Sequence, residues 1–219
     1  SLPRFRDQVG SLYRDGAAAE LGPDPYLALG TVPPLASELR DLSPARRSLP
    51  RFDPAACTGC GHCWSRCPDA AIGAAALTPS ELLDAGIQAS GASALRPLAK
   101  RLAGRIGRLC REPAEAPREI DQLLDEALAR LQAQAPLPEG RREAIEAELE
   151  QIKAGFDGLG AAITEPLFGQ AEAENKDKGA LLLLAVDPDA CKGCGICIRA
   201  CAAEALSEEI GRASCRERV

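Results

Sequence analysis

Eight of the ten cysteines in this chain fall into two short runs of the same form. Each run has the spacing C-x2-C-x2-C-x3-C, and a proline, Pro68, follows the first run. The runs consist of Cys57, Cys60, Cys63 and Cys67, and of Cys191, Cys194, Cys197 and Cys201. Cysteine thiolates are soft ligands that bind iron–sulfur clusters or zinc. The two runs are therefore the candidate metal ligands of the chain.

The spacing within each run favours a [4Fe-4S] cluster. Three cysteines within seven residues surround one cluster only if the backbone curls tightly, and glycines at 59, 61, 193 and 195 permit such curls. Zinc sites usually consist of two separated C-x2-C pairs, and disulfide frameworks are typical of small secreted domains. A degenerate site that lacks one cluster is a third alternative, although all eight cysteines are present.

This spacing is that of bacterial ferredoxins, in which the fourth cysteine of each run ligates the other cluster. The chain is therefore predicted to hold two [4Fe-4S] clusters with crossed ligand sets. Cluster one is expected to take Cys57, Cys60, Cys63 and Cys201. Cluster two is expected to take Cys191, Cys194, Cys197 and Cys67.

The two runs belong to one internal repeat. FDPAACTGCGHCWSRCPDAAI (52–72) aligns without gaps to VDPDACKGCGICIRACAAEAL (186–206), with 10 of 21 positions identical. A matched pair predicts a pseudo-twofold core in which each half is a strand, a cluster loop and a short helix. Phe52 and Val186 are expected to end the strands, and the fourth cysteine of each run to begin the helix. The apolar run ALLLLAVD (180–187) predicts a buried second strand.

The chain between the two runs has the pattern of helices. Leucine and isoleucine recur at intervals of three and four residues in stretches that begin at Leu95, Ile120 and Ile145, which is the helical period. Thr78 to Ser80 favour a further helix start, and prolines separate the stretches. The apolar stripes are expected to pack against one another as a small bundle.

The predicted fold class is α+β: a bacterial dicluster ferredoxin-like core with a large helical insertion between the cysteine runs. The core is assigned to residues 51–77 and 180–208, and the insertion to 78–170. Residues 1–50, rich in Pro and Gly, are expected to be a linker or an extended segment, and 171–179 a polar loop.

Three other side chains invite a functional hypothesis, but each has a plainer interpretation. His62 is expected to be an exposed loop side chain, and Trp64 to pack over a cluster and exclude water. Cys110 lies in a helical stretch and is expected to belong to the core rather than to a metal site.

The last eleven residues, EIGRASCRERV (209–219), equal the translation of the reverse complement of a common short-read sequencing adapter. We interpret them as an artefact and expect the authentic chain to continue past residue 207 or 208. Cys215 is therefore not a candidate ligand.

Charge and hydropathy narrow the function classes. The formal net charge is -6, which argues against nucleic acid as a partner. No apolar run approaches the about 18 residues that a membrane helix requires, so we expect no membrane insertion and a cytoplasmic protein.

The segment resembles the ferredoxin-like domain of the pyruvate and other 2-oxoacid:ferredoxin oxidoreductases. The features that carry the resemblance are GTVPP (30–34), R-x2-L-P-R-F-D-P (46–54) entering the first cysteine run, and LTPSELL (77–83). In that family a similar Gly-Thr-x-Pro stretch and a Pro-aromatic segment precede the first cysteine run, and an insertion separates the two runs.

The resemblance implies a parent enzyme that uses thiamine diphosphate to decarboxylate a 2-oxoacid oxidatively onto coenzyme A. This segment would then be an electron carrier without its own substrate site. Its partners would be a ferredoxin or flavodoxin, and the catalytic domain or subunit of the larger oxidoreductase. Two alternatives stay open: an electron-transfer subunit of a hydrogenase or quinone reductase, and a structural metal-binding module.

Overall fold

The computed structural model describes residues 2–31, 33, 47–112, 116 and 119–210. Three sequence features lie wholly or partly outside these residues: Val32 and Pro34 of the GTVPP stretch with its continuation to Arg46, the prolines Pro113 and Pro117 between helical stretches, and residues 211–219 of the tail, which include Cys215.

Short helices lie within residues 2–29, which belong to the segment 1–50 that was predicted to be a linker or an extended segment. They are α1 (Leu2–Phe5), α2 (Ser11–Arg14) and α3 (Pro25–Leu29), with a π-helical turn over Arg6–Gly10 and a 3-10 turn over Ala18–Glu20. Local capping explains α3. The Asp24 carboxylate accepts hydrogen bonds from the backbone N–H groups of Tyr26 (2.8 Å) and Leu27 (3.4 Å), and Gly30 ends the helix in the left-handed conformation.

The strands form two antiparallel sheets. The first pairs β1 (Ser48–Phe52) with β5 (Leu206–Ile210), and the second has the order β2 (Ile72–Leu77), β4 (Leu181–Val186), β3 (Ala161–Ala162). β1 and β4 end at Phe52 and Val186, as predicted.

Each sheet joins the two halves of the sequence repeat. Phe52 lies opposite Leu206 in the first sheet, and Ile72 lies opposite Val186 in the second. Backbone hydrogen bonds of 2.8 Å continue both ladders, from Asp53 N–H to the Ala205 carbonyl and from Asp187 N–H to the Ala71 carbonyl. The strand that enters one cysteine run is thus always paired with the strand that leaves the other.

The chain between the runs forms α5 (Pro79–Ser90), α6 (Ala99–Cys110), α7 (Ile120–Gln134), α8 (Glu139–Gly155) and α9 (Gln170–Glu174), with a 3-10 turn over Arg96–Leu98 and a π-helical turn over Glu165–Gly169. The predicted helical stretches are confirmed by α5 to α8, whereas α9 extends over residues 171–174 of the predicted polar loop. α5 begins with a capping box, because Thr78 accepts from the Glu81 N–H while the Glu81 carboxylate accepts from the Thr78 N–H.

Strand β4 separates two hydrophobic cores. Leu181 and Leu183 pack with the helices, whereas Leu182 and Leu184 pack with the cysteines of the repeat. All four side chains are buried, which explains why the run is apolar without interruption. The helices therefore pack against the face of β4 that is opposite the cysteines, and β4 leads into the second cysteine run.

Part of the segment 78–170, predicted as a helical insertion, contributes to the sheet. In β3, Ala161 faces the helices and Ala162 faces the cysteines. At Gly160 a Cβ atom would lie 2.6 Å from Pro54 Cγ, so the chain passes directly against the turn that enters the first run. A strand of two residues is too short to produce a recognisable period, which is why the sequence did not predict it.

The prediction that each fourth cysteine begins a helix was wrong. The short helices α4 (His62–Ser65) and α10 (Ile196–Arg199) contain the third cysteines and end before Cys67 and Cys201. The chain turns after each fourth cysteine instead, through residues in the left-handed conformation, Ala70 (φ 52°) and Glu204 (φ 54°).

The Glu148 carboxylate ties α8 to the loop before α6. It accepts hydrogen bonds from the backbone N–H groups of Ser93 (2.9 Å), Ala94 (2.9 Å) and Leu95 (2.8 Å). Burial opposes ionisation of Glu148, but the backbone donors outweigh burial and hold its pKa below the usual value.

We expect Glu148→Gln to lower the free energy of unfolding by about 1–2 kcal/mol, because backbone donors lose a charged acceptor. A carboxyl with a lowered folded-state pKa stabilises the fold above its unfolded pKa of about 4.3, and this contribution is lost only as pH falls through the still lower folded pKa. The difference in the free energy of unfolding between Glu148→Gln and the wild type should therefore stay constant between about pH 5 and pH 8 when measured by urea denaturation.

Glu143→Gln on the exposed side of α8 is the matched control, and we expect it to leave the urea midpoint nearly unchanged. Equal losses in the two variants would show that the backbone contacts of Glu148 do not stabilise the fold.

Candidate metal centre

The structure gathers the eight predicted ligands around two cavities. One cavity is lined by Cys57, Cys60, Cys63 and Cys201. The other is lined by Cys67, Cys191, Cys194 and Cys197. Each cavity therefore receives three cysteines from one run and the last cysteine of the other run.

Strand pairing accounts for this exchange. Cys201 lies just before β5, which pairs with β1, and β1 leads into the first run. In the same way Cys67 lies just before β2, which pairs with β4, and β4 leads into the second run.

Glycines with positive φ shape both cluster loops. Gly61 (φ 78°) and Gly195 (φ 67°) precede α4 and α10, and an L side chain would be strained at either position. Space is also limited in the first loop. A Cβ atom at Gly61 would lie 3.0 Å from the Trp64 ring, and one at Gly59 would lie 3.0 Å from the Thr164 hydroxyl. The glycines thus let the backbone curl around each cavity.

Backbone N–H groups point at several of the cysteine sulfurs. Gly59 N–H donates to Cys57 Sγ at 3.4 Å, and Gly193 N–H donates to Cys191 Sγ at 3.5 Å. Ala71 N–H donates to Cys67 Sγ at 3.2 Å. Such bonds stabilise negative charge on sulfur and contribute to the reduction potential of an iron–sulfur cluster.

The buried thiols resist ionisation without metal. Burial raises the pKa of Cys63 to about 11, although backbone N–H groups oppose the shift. Burial is also the main cause that raises the pKa values of Cys57 and Cys197. A negative charge on Cys201 raises the pKa of Cys57 further, and a negative charge on Cys67 raises that of Cys197. In both cases the neighbouring cysteine comes from the other run. Thiolates assembled at these positions therefore need positively charged iron to offset their burial and mutual repulsion.

The donor set fits a cluster better than a single ion. In the part of the chain that the structure describes, no three His, Cys, Asp or Glu side chains converge closely enough to hold one metal ion. A cubane places four iron atoms between its thiolates and so holds them farther apart than a single ion does. Four soft thiolates spread around each cavity suit this requirement.

His62 and Cys110 lie where the sequence predicted them, and Trp64 lies beside the first cavity. His62 is exposed, and the half-buried Trp64 packs on Gly61 and lines the first cavity. Cys110 is 1% exposed within the helical core, away from both cysteine sets.

Two features of the centre were missed by sequence reasoning. Thr164 approaches the first loop from a distant part of the chain, and no sequence signal places it there. Asp69 is buried beside the second cysteine set and lies 2.7 Å from the Lys192 ammonium. The sequence feature that could have drawn attention to Asp69 is a difference between the two repeats, because the second repeat has Ala203 at this position.

Family comparison locates a 4Fe-4S binding domain at residues 50–73 and another at residues 183–206. Each contains one complete cysteine run. The chain carries two [4Fe-4S] clusters. The two matched domains confirm the predicted cofactors and support a function in iron–sulfur electron transfer. No curated protein and no solved structure matches the chain significantly. Among the described residues, no helix combines the length and apolar character needed to cross a membrane.

We expect Cys60→Ala and Cys201→Ala to abolish the same cluster, because both residues line one cavity, and Cys194→Ala to abolish the other. Each variant should keep roughly half of the iron and acid-labile sulfide of the wild type, or somewhat less where the second cluster assembles only partly.

Cys110→Ala is the matched control and should keep the full iron content, since Cys110 lines neither cavity. Full iron retention in Cys60→Ala would contradict the ligand sets. EPR spectra of Cys201→Ala that match those of Cys194→Ala rather than those of Cys60→Ala would contradict the crossing.

Proposed function

We propose that the chain transfers single electrons through two clusters with crossed ligand sets. In this proposal Cys57, Cys60, Cys63 and Cys201 hold cluster one. Cys191, Cys194, Cys197 and Cys67 hold cluster two. The observation that carries the proposal is that each cavity is lined by four cysteines drawn from both runs, within segments matched as 4Fe-4S binding domains.

We also propose that the two halves are related by a pseudo-twofold axis. The repeat alignment supports this relation, because it equates Phe52 with Val186 and Ile72 with Leu206. The pair Phe52–Leu206 in one sheet then corresponds to the pair Val186–Ile72 in the other. The same exchange relates the Asp53–Ala205 and Asp187–Ala71 backbone hydrogen bonds.

When bound, each cluster supplies a centre that cycles between the 2+ and 1+ levels and so accepts or donates one electron. The protein positions and insulates it. Backbone N–H groups in both loops stabilise the sulfurs, while Trp64, Leu182 and Leu184 pack around the cysteines and limit water. The outermost cysteines, Cys60 and Cys194, are exposed, so each centre has one edge near the surface where a partner can approach.

We propose a parent enzyme of the 2-oxoacid:ferredoxin oxidoreductase class, in which this segment is the ferredoxin-like domain. The support is the resemblance of the segments that flank the first run. Two of these have defined structural roles: Leu49 to Phe52 lie in β1, and Thr78 caps α5. The partners would be a thiamine-dependent catalytic domain and an external ferredoxin or flavodoxin. We place the protein in the cytoplasm, where reducing conditions keep cysteines as thiols for cluster assembly.

Sequencing of the gene across codon 208 tests this assignment. We expect codons other than those for 209–219, followed by an open reading frame that encodes a thiamine-binding domain. A stop codon soon after position 208 would favour a separate electron-transfer subunit of a hydrogenase or quinone reductase. Genomic confirmation of EIGRASCRERV would overturn the interpretation of the tail as adapter.

The electron-transfer function is tested by iron and sulfide analysis with EPR on the anaerobically reconstituted chain. We expect about eight iron atoms and eight labile sulfides per chain, since each cluster contributes four of each. Full reduction should give a signal broadened by magnetic coupling between two nearby clusters. Zinc without sulfide would overturn the proposal and leave a structural metal-binding module.

A further inference from the structure

We propose that the ion pair between the buried Asp69 and the exposed Lys192 makes the two clusters unequal and holds cluster two at a lower reduction potential than cluster one. This inference rests on the ligand sets of the proposed function. It assigns a role to two residues that hold no cluster themselves.

The pair is built across the two halves beside the second cysteine set. Asp69 follows Cys67 by two residues, and Lys192 follows Cys191 directly. The Lys192 ammonium lies 2.7 Å from Asp69 Oδ1, and both residues line the cavity of Cys67 and Cys191.

Burial differs sharply between the two partners. The Asp69 side chain is 3% exposed, whereas that of Lys192 is 47% exposed. Asp69 Oδ1 accepts no hydrogen bond of good geometry from any described residue, so the ammonium is what compensates its charge. A buried carboxylate with an oxygen that has no hydrogen bond is costly to the fold, which points to a role other than stability.

The repeat provides an internal comparison. The positions equivalent to Asp69 and Lys192 in the other half are Ala203 and Thr58. These two uncharged residues line the cavity of the first cysteine set. The ion pair is therefore present at one cluster, and neutral side chains take its place at the other.

The sign of the effect follows from screening. Water reaches the Lys192 ammonium and weakens its field, but it does not reach the Asp69 carboxylate, so the pair acts on cluster two as a net negative charge. Reduction adds an electron to a cluster that four thiolates already make negative. A nearby buried anion disfavours that step and lowers the reduction potential.

A second charge near cluster two has the opposite sign. The Arg199 guanidinium donates a hydrogen bond to the Cys194 carbonyl at 3.2 Å, and the equivalent residue in the first half is Ser65. Arg199 is exposed, so solvent screens its field as well. It therefore offsets the buried carboxylate only in part.

The test is an EPR-monitored redox titration of the full cluster-loaded chain. The Cys60→Ala and Cys194→Ala proteins, which each retain one cluster, assign the two potentials. We expect Asp69→Asn to raise the potential of cluster two and Lys192→Thr to lower it, with cluster one unchanged in both. The double variant Asp69→Ala/Lys192→Thr copies the other half and should bring the two potentials together.

Two further variants separate tuning from structural support. Thr58→Lys/Ala203→Asp transplants the pair to the other half and should lower the potential of cluster one. Arg199→Ser removes an exposed cation of the same loop and should shift cluster two less than Asp69→Asn does. If Asp69→Asn fails to load its clusters, the transplant decides, since an unchanged cluster-one potential would overturn the inference.

Failure of the inference and failure of the proposed function give different results. If the wild type titrates as two clusters and Asp69→Asn does not change the potential of cluster two, the role of the ion pair is overturned and the proposed function stands. Wild-type protein without a reducible cluster overturns both.

Discussion

Antiparallel pairing between the two halves of the repeat is the constraint on which the metal centre depends. β1 pairs with β5 and β2 pairs with β4, so each strand that enters a cysteine run lies beside a strand that leaves the other run. This pairing places the fourth cysteine of each run at the cavity of the other run. Each cavity is lined by cysteines of both halves, so a set of four cysteines comes together only when the two halves pair.

The helices secure this arrangement through β4. One face of the strand belongs to the helical core through Leu181 and Leu183, and the other face belongs to the cysteine core through Leu182 and Leu184. The short strand β3 and Thr164 return from the helical segment to pack against the first cluster loop. The segment between the runs is thus built into the wall of the metal centre rather than attached to it by a linker.

Electrostatics explains why the centre needs iron to be complete. Thiols that are buried and placed beside one another bind protons more tightly than free thiols do, as the raised pKa values of Cys57, Cys63 and Cys197 indicate. Iron replaces those protons and supplies the positive charge that the cavities lack. Backbone N–H donors from the glycine loops then distribute the remaining negative charge of the sulfurs.

Several properties of this protein were determined by local sequence. Residue type and spacing within eleven positions specify the cysteine loops, and the glycines at 59 and 61 are required by the curl that those loops make. The period of Leu and Ile predicted α6, α7 and α8, because an amphipathic stripe is a local property of the chain. The helix-capping residues Asp24 and Thr78 are also local features of the sequence. The Pro- and Gly-rich composition of residues 1–50 nevertheless favoured a linker or an extended segment over the helix that Asp24 caps.

Contacts between distant parts of the chain were decided only by the tertiary structure. A strand as short as β3 has no detectable period, and its position depends on the partner β4 that it meets in the folded protein. The approach of Thr164 to Gly59 and of Lys192 to Asp69 likewise joins residues more than one hundred positions apart. Such contacts arise from strand pairing and packing across the whole fold, which no local pattern of residues encodes.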